Sequence, residues 1–573
     1  LGGGVLVDAG GRLTLRGATV SGSTATGTDA AGGGGGVAVF EGTLIVLDSR
    51  VTGNTAGAGG GIYTIGLGGA EAATAIEGTT VAENSATIDG GGIATVLGST
   101  VVRESRIVDN TAFRGGGIAN HGTLLVEPDS RVSGNEATTD GGGLYNTRTA
   151  TFDGAVIEGN AGAHGGGLFN QNDATLIVRA NSRVTRNTTT DADPDFAVGA
   201  GIFNGFDAVA TIVESRVTEN RAATTGGAIY NWGELTVRES VIARNRAGSG
   251  GGLAVAAGAA TITGSVVEAN EAEVDRGGGI LSVSGNPGHD TVSLSIEDSD
   301  VLNNTAARRG GGIAASDTLR LTAVTIAGNA APRGGGLWFG GTRGDAAIRA
   351  SAVVDNQADE DGGGIYYQGS SAVADRVFVT AVVDSSVIER NTATDRGGGI
   401  FHSGSKSALT VRNRSDIAGN AAAYGGGIFQ TRASTGTTVI EGSTVRENTV
   451  RGSGGGITIE GGAIEIRAGS VVEHNAAVSD GGGIETRHAE PQVVVIIDES
   501  GIIANEAGGR GGGLFVSWGE ITVNGTSCLI VGNVADADGN GFGSGGGIYH
   551  VAGDISGVPE ERVCFNDPND MAP

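Results

Sequence analysis

Hydrophobic and polar residues alternate with a period of two in short runs along the chain, as in Leu235-Thr236-Val237 and Leu409-Thr410-Val411, and no stretch carries a 3.6-residue period. Strict alternation sends one row of side chains to an interior and the next to the outside, which predicts strands and not helices. The runs are three to six residues long and stop at Gly or Asn, both turn formers.

The runs belong to a repeat. A phrase G-G-G-[ILV], with the variants GAGI at 199–202 and GGAI at 226–229, recurs 20 times between 2–5 and 545–548, spaced 24 to 35 residues apart. Before nearly every copy stands a β-branched residue, two variable residues and an Asn; Asn54, Asn110, Asn135, Asn220, Asn245, Asn270 and Asn533 are examples. Two residues before the β-branched position there is usually Ser, as at Ser105, Ser215, Ser240 and Ser265. A unit of this size cannot bury both faces of its strands alone, whereas stacked units share one interior. The expected fold is an all-β parallel β-helix of about 20 coils with three short strands per coil, a single solenoid over 1–566 with 567–573 as tail or linker.

In a stacked coil each residue lies above its equivalent, so the Asn should form a ladder of amide hydrogen bonds at a tight turn, where Asn tolerates the left-handed conformation. The glycines should supply positive φ or a close backbone approach at another corner. A second, shorter Asn ladder is expected at Asn120, Asn146, Asn170, Asn204 and Asn231.

With these phrases in hand, the unit resembles the GG[AG][IL] and xxN repeats of polymorphic outer-membrane-protein and related bacterial right-handed β-helix proteins. The resemblance covers Gly2 to about Asn566. It implies a right-handed solenoid, in keeping with the handedness of parallel crossovers, and an adhesin-like, secreted or cell-surface role. The membrane-anchored members carry a C-terminal barrel of amphipathic strands that this sequence does not show. Leu1 runs directly into a GGGV phrase, so the chain is expected to start within a longer protein, with no signal peptide in the sequence at hand.

Composition narrows the partners. Gly accounts for 109 of 573 residues and aromatics for 4%, which suits a thin interior. The net charge of −27 opposes binding to phosphate backbones, so nucleic acid is not an expected partner. Lys406 is the only lysine among 36 basic residues. No apolar run is long enough for a membrane-spanning helix.

Four features depart from ladder logic. An aromatic follows many Gly phrases: Tyr145, Phe169, Phe203, Tyr230, Trp338, Tyr366, Phe401 and Phe429, then Phe515 and Tyr549. Alternation points this column outward, where it would bind sugar rings or a partner surface; the plainer alternative is that the rings pack on one another and on corner loops. The residue before the Gly phrase forms a charged column, with Asp89, Arg114, Asp140 and His164 in consecutive coils and Arg276, Arg309, Arg333, Asp361 and Arg396 further on. These read as exposed ion pairs of small worth. Asp536, Asp538 and Asn540 have the alternate-oxygen spacing of a calcium loop, echoed at Asp191, Asp193 and Asp195, although Gly547 stands where an EF-hand carries Glu. A structural Ca2+ is the one cofactor these residues suggest; a polar turn reads the same way. Cys528 and Cys564 are candidates for a disulfide, but register puts Cys528 in the inward Ser slot and Cys564 outside, so a bridge requires an irregular last coil.

The function these features favour is an extracellular or cell-surface structural protein, adhesin-like, acting as rigid scaffold and binding surface for glycans or surface proteins. Open end coils would also allow end-to-end or lateral self-association. The alternative is a polysaccharide-active enzyme, a lyase or glycoside hydrolase with a groove on one face, which requires converging carboxylates. Against it, no coil has a large insertion, the seven His show no metal spacing, and no Ser-His-Asp arrangement can be placed from the sequence. The best enzymatic location would be Asp191–Asp195 beside the Tyr/Phe column.

Overall fold

A computed structural model describes the chain except residues 1, 27–32, 67–71, 191–196, 285–291, 341–343, 370–378, 405–406, 434–435, 488–492, 538, 540–542, 553 and 573. The chain forms a right-handed parallel β-solenoid of about 19 turns. Its coils fall into two compact units, one made of Leu1–Val274 with Gly279–Val292 and the other of Asp275–Gly278 with Ser293–Pro573.

One coil of the first unit shows how the repeat folds. Leu144–Asn146 follows the Gly phrase, Thr149–Asp153 continues the same sheet after a bend, Val156–Glu158 lies on a second sheet, and Ala161–Gly162 on a third. In two coils the bend straightens, giving the continuous strands Ile93–Arg103 and Ile118–Val126. Three sheets thus make the three sides. Every strand pairs in parallel with its equivalent one coil away, for example Val132 with Ile107 below and Ile157 above. Inward positions stack as unbroken apolar columns: Val132, Ile157, Val184, Val217, Ile242 and Val267 in the first unit are all at most 1% exposed. Each such burial is worth about 1.5–3 kcal/mol, which is how short strands with little aromatic content hold together.

The polar ladders are inside as well. The main Asn ladder runs without a break from Asn54 to Asn270 in the first unit and from Asn304 to Asn566 in the second, each Nδ2 donating to the next Oδ1 at 2.9–3.0 Å. The left-handed turn, however, is one residue earlier than expected. Positive φ falls on the residue before the Asn, as at Glu219 (58°), Arg244 (56°) and Ala269 (52°). That residue takes the bend at the surface, leaving the Asn free to aim its amide inward. The Ser slot forms a ladder of its own, Ser215 N–H donating to Ser240 Oγ and Ser240 N–H to Ser265 Oγ, both at 3.1 Å.

The Gly phrase divides its work. Gly141 has φ of 69°. A Cβ on Gly142 would lie 2.2 Å from the Ala161 carbonyl oxygen, and one on Gly143 would lie 2.5 Å from that of Gly167. The first glycine turns the chain, and the other two let one coil's backbone lie against the next.

At the C-terminal end, the residues expected as a tail add a further layer. Met571 pairs with Ile548 and Ala572 with Tyr549. Asp570 Oδ1 accepts from both the N–H and the Nδ2 of Asn566, at 2.9 and 3.0 Å, taking the place of the next Asn.

Candidate functional site

The strand after the Gly phrase is buried on both faces. Leu144, Tyr145 and Asn146 are all buried, although only Leu144 and Asn146 face the interior. The chain entering the Gly phrase folds back over the outer face, so the aromatic and charged columns meet as one layered edge. This corrects the expectation of an outward binding row. Tyr145, Phe203, Trp338, Tyr366, Phe401, Phe429 and Phe515 are buried, and only Phe169 and Tyr230 of the eight expected ligand-binding rings are half-buried. The rings stack on each other, with centroids 5.5 Å apart for Tyr145–Phe169, 4.5 Å for Phe169–Phe203, 5.6 Å for Phe203–Tyr230, 4.6 Å for Tyr366–Phe401 and 5.7 Å for Phe401–Phe429. Arginines from the charged column cover them: Arg114 lies 4.8 Å from the Tyr145 centroid, Arg309 5.3 Å from Trp338, and Arg396 5.1 Å from Phe401. Ring stacking and cation–π contact outcompete exposure to water here.

The ion pairs differ from the expected exposed kind for the same reason. Arg396 grips Asp361 with two bonds of 2.9 Å, and the Asp361 side chain is only 4% exposed. Burial pushes the Asp361 carboxyl up in spite of Arg396. Arg114 grips Asp89 with bonds of 2.8 and 3.0 Å. At Asp89 burial opposes ionisation, but the hydrogen bond from His121 and the Arg114 guanidinium outweigh it and hold the carboxyl below its ordinary range.

Three successive coils of the first unit converge at that carboxylate. His121 Nε2 is 3.3 Å from Asp89 Oδ2, and His121 Nδ1 is 2.9 Å from Thr147 Oγ1. With Asp89 ionised, an Nε2–H on His121 donates to it, and the single Thr147 hydroxyl proton has two acceptors in reach, His121 Nδ1 at 2.9 Å and the Asn120 carbonyl at 3.3 Å. Sequence reasoning passed over this group, since the seven His were read as scattered. The signal was present: Asn120-His121 and Asn146-Thr147 align once the second Asn ladder is placed, and that ladder is real, with Asn120, Asn146, Asn170, Asn204 and Asn231 bonded in series at 2.7–2.8 Å. Next to the group is Tyr145, whose hydroxyl donates to Gln171 Oε1 at 2.6 Å and accepts from Arg114 Nη1 at 3.3 Å. Tyr145→Phe should lower the first unit's stability by about 1 kcal/mol, read as a shift in its thermal transition.

The second unit has a groove over its third sheet, with a volume of about 370 Å3. Its floor is the small-residue stripe Ala358, Ala393, Ala422 and Val450, one residue per coil and each at most 6% exposed. Thr392, Thr449 and Gln357 stand exposed along the rim, and Arg451 Nη2 donates across to the Thr394 carbonyl at 3.0 Å.

The remaining expectations divide. Cys528 and Cys564 form a disulfide with Cα atoms 6.0 Å apart. Cys528 is not in the inward Ser slot but exposed; the preceding strand ends at Asn524, and the irregular turn from Gly525 carries the sulfur outward. Of the calcium loop, Asp536 begins a turn closed by Gly539 N–H on its carbonyl at 2.9 Å, whereas Asp538 and Asn540 lie outside the described residues, as do Asp191, Asp193 and Asp195. Among the described residues no three His, Cys, Asp or Glu converge as a metal-binding group, and no helix is long and apolar enough to cross a membrane. Compared with protein-family models, with curated proteins and with solved structures, the chain gives no match.

Proposed function

We propose that this protein is a structural β-solenoid of the cell exterior or cell surface, a stiff scaffold whose second unit presents a groove to glycan chains. The observation that carries the reading is the groove itself. Its floor repeats one small apolar residue per coil at the ~4.8 Å coil spacing, and its rim carries the amide of Gln357 and the hydroxyls of Thr392 and Thr449, interrupted by Ala421. A shallow, regular trough with an apolar bed and polar edges suits an extended polymer whose own hydroxyls repeat, and Arg451 favours one that carries carboxylates. The buried Asn ladders supply stiffness, because each coil is tied to its neighbours through hydrogen bonds that water does not reach.

A glycan array with the intact chain should show retention of acidic polysaccharides without release of reducing ends. Arg451→Ala and Thr392→Ala should each weaken retention about tenfold, a loss of roughly 1.4 kcal/mol. Turnover of a polysaccharide that disappears on a single Asp→Asn change would replace the scaffold reading with the enzymatic one.

A further inference from the structure

We propose that Thr147, His121 and Asp89 form a nucleophilic relay that hydrolyses carboxylic esters bearing an anionic group, with Arg148 holding that group. This goes beyond the scaffold reading and lies in the other unit, so the two stand or fall separately.

Four observations converge. The hydroxyl, imidazole and carboxylate are in line, at 2.9 and 3.3 Å, and come from three successive coils. This is the order a hydroxyl nucleophile needs: a neutral imidazole nitrogen to take its proton, and a carboxylate behind the ring to fix tautomer and orientation. The relay is accessible: the His121 side chain is 24% exposed and Thr147 is half-buried. A concavity of about 230 Å3 lies beside it, lined by Leu97, Gly98, Ser99, Gly122, Thr123 and Arg148. His121 and Thr147 do not line it themselves, but Gly122 and Arg148, the next residues in the chain after each, do, which sets the Arg148 side chain in a hollow one residue from the relay. Arg148 is exposed there and forms no ion pair among the described residues.

The rim is also strained. Leu97 has φ of 52° and is 52% exposed. A bulky apolar side chain in the left-handed region, facing water, is unfavourable on both counts, and such residues cluster at ligand sites. Gly98 and Gly122 beside it leave the floor without side chains. The backbone packs closely there: a Cβ on Gly122 would lie 2.2 Å from the Gly98 carbonyl oxygen.

The chemistry balances with water as the only co-reactant. Thr147 Oγ attacks the ester carbonyl carbon while its proton passes to His121 Nδ1. Collapse of the tetrahedral adduct breaks the carbon–oxygen bond to the alcohol, which leaves with that proton, and the acyl group remains on Thr147. Water then attacks the acyl carbon, giving its proton to Nδ1. The bond to Thr147 Oγ breaks, the hydroxyl regains the proton, and the acid departs. Asp89 accepts from Nε2–H throughout and stabilises the imidazolium. Esters are the acyl substrates in reach because an alcohol leaves more readily than an amine.

The test uses the full chain with 4-nitrophenyl hemisuccinate, an anionic ester, and 4-nitrophenyl acetate, a neutral one. Expected results are hydrolysis above buffer, a mass increase of one succinyl group localised to Thr147, and a preference for the anionic ester that falls about tenfold in Arg148→Gln. Thr147→Val and His121→Gln should each lower kcat/KM at least about 100-fold, while His474→Gln, in the other unit, retains the wild-type rate. Circular dichroism and the thermal transition show whether each variant keeps the solenoid, and the acyl adduct on wild-type Thr147 does not depend on any variant folding. Equal rates in folded Thr147→Val, acylation only at other residues, or no rate above buffer would each overturn the proposal.

Discussion

Asn245→Leu should destabilise the first unit by about 2–6 kcal/mol, as much as truncating a large core side chain. Asn245 Oδ1 accepts from the Asn220 N–H at 2.9 Å and from Asn220 Nδ2 at 3.0 Å. Its Nδ2 donates to Asn270 Oδ1 at 2.9 Å and to the Val217 carbonyl at 3.0 Å. Leucine fills the volume but leaves two donors on Asn220, its N–H and one N–H of its side-chain amide, without their partner, and each buried orphan costs about 1–3 kcal/mol. Because coils couple to their neighbours, the damage should be greatest at the substitution and spread outward. Amide exchange of Asn220 and of the strand Val241–Ala243 should accelerate together. A loss below about 1 kcal/mol would mean that the ladder is not a structural element.

The second large effect is a pair of opposed pH dependences in the second unit. His402 is wholly buried, with Nε2 2.8 Å from Ser407 Oγ and Nδ1 3.0 Å from Thr438 Oγ1, and its ring stacks on Tyr367 at 5.0 Å. Burial drives its pKa down to about 4. In the unfolded chain it titrates near 6.5. Between these values the unfolded state binds the extra proton, so stability falls as the pH drops from about 6.5 to about 4, by about 3 kcal/mol in all. Glu485 works the other way. Its side chain is 6% exposed and bonded to Arg487 Nε at 2.8 Å, yet burial outweighs the guanidinium and pushes the carboxyl up to about 7. The folded state holds the proton more tightly, so this contribution is complete below about pH 4.3 and is lost as the pH rises through about 7, again roughly 3 kcal/mol.

In the wild type the two slopes largely offset each other. Single variants unmask them. His402→Gln, a residue already accommodated one coil on at Gln430, should gain about 3 kcal/mol relative to wild type on going from pH 7 to pH 4. Glu485→Gln should show the mirror image. Amide exchange across 400–440 and 484–516, compared at the two pH values, measures both. A difference from wild type that is flat with pH in either variant would show that the group titrates at its ordinary value.

Much of the fold was legible in the chain because stacking makes chemistry periodic. Once equivalent residues must lie on one another, the recurrence of Asn, Gly and β-branched residues at fixed offsets specifies a parallel solenoid, its buried ladders and its inward columns. Alternation decided correctly which residues of runs such as Arg131-Val132-Ser133 face inward. What alternation could not supply was the cover on the outside of the strand that follows the Gly phrase. That strand's outer residues read as surface, and the rings of Tyr145 through Phe429 became a binding row on that basis. Only the path of the chain as it enters the glycines, folding Arg114 and Arg396 over the rings, made them interior. The Asp89–His121–Thr147 group was hidden for a related reason. Its members are far apart along the chain and meet across coils, so it exists only where the register brings them to one edge. The groove over Ala358, Ala393, Ala422 and Val450 is likewise a property of depth, set by small side chains aligned between taller neighbours. Periodic chemistry determined the stack; the folding of its corners, which no period encodes, decided what the surface can do.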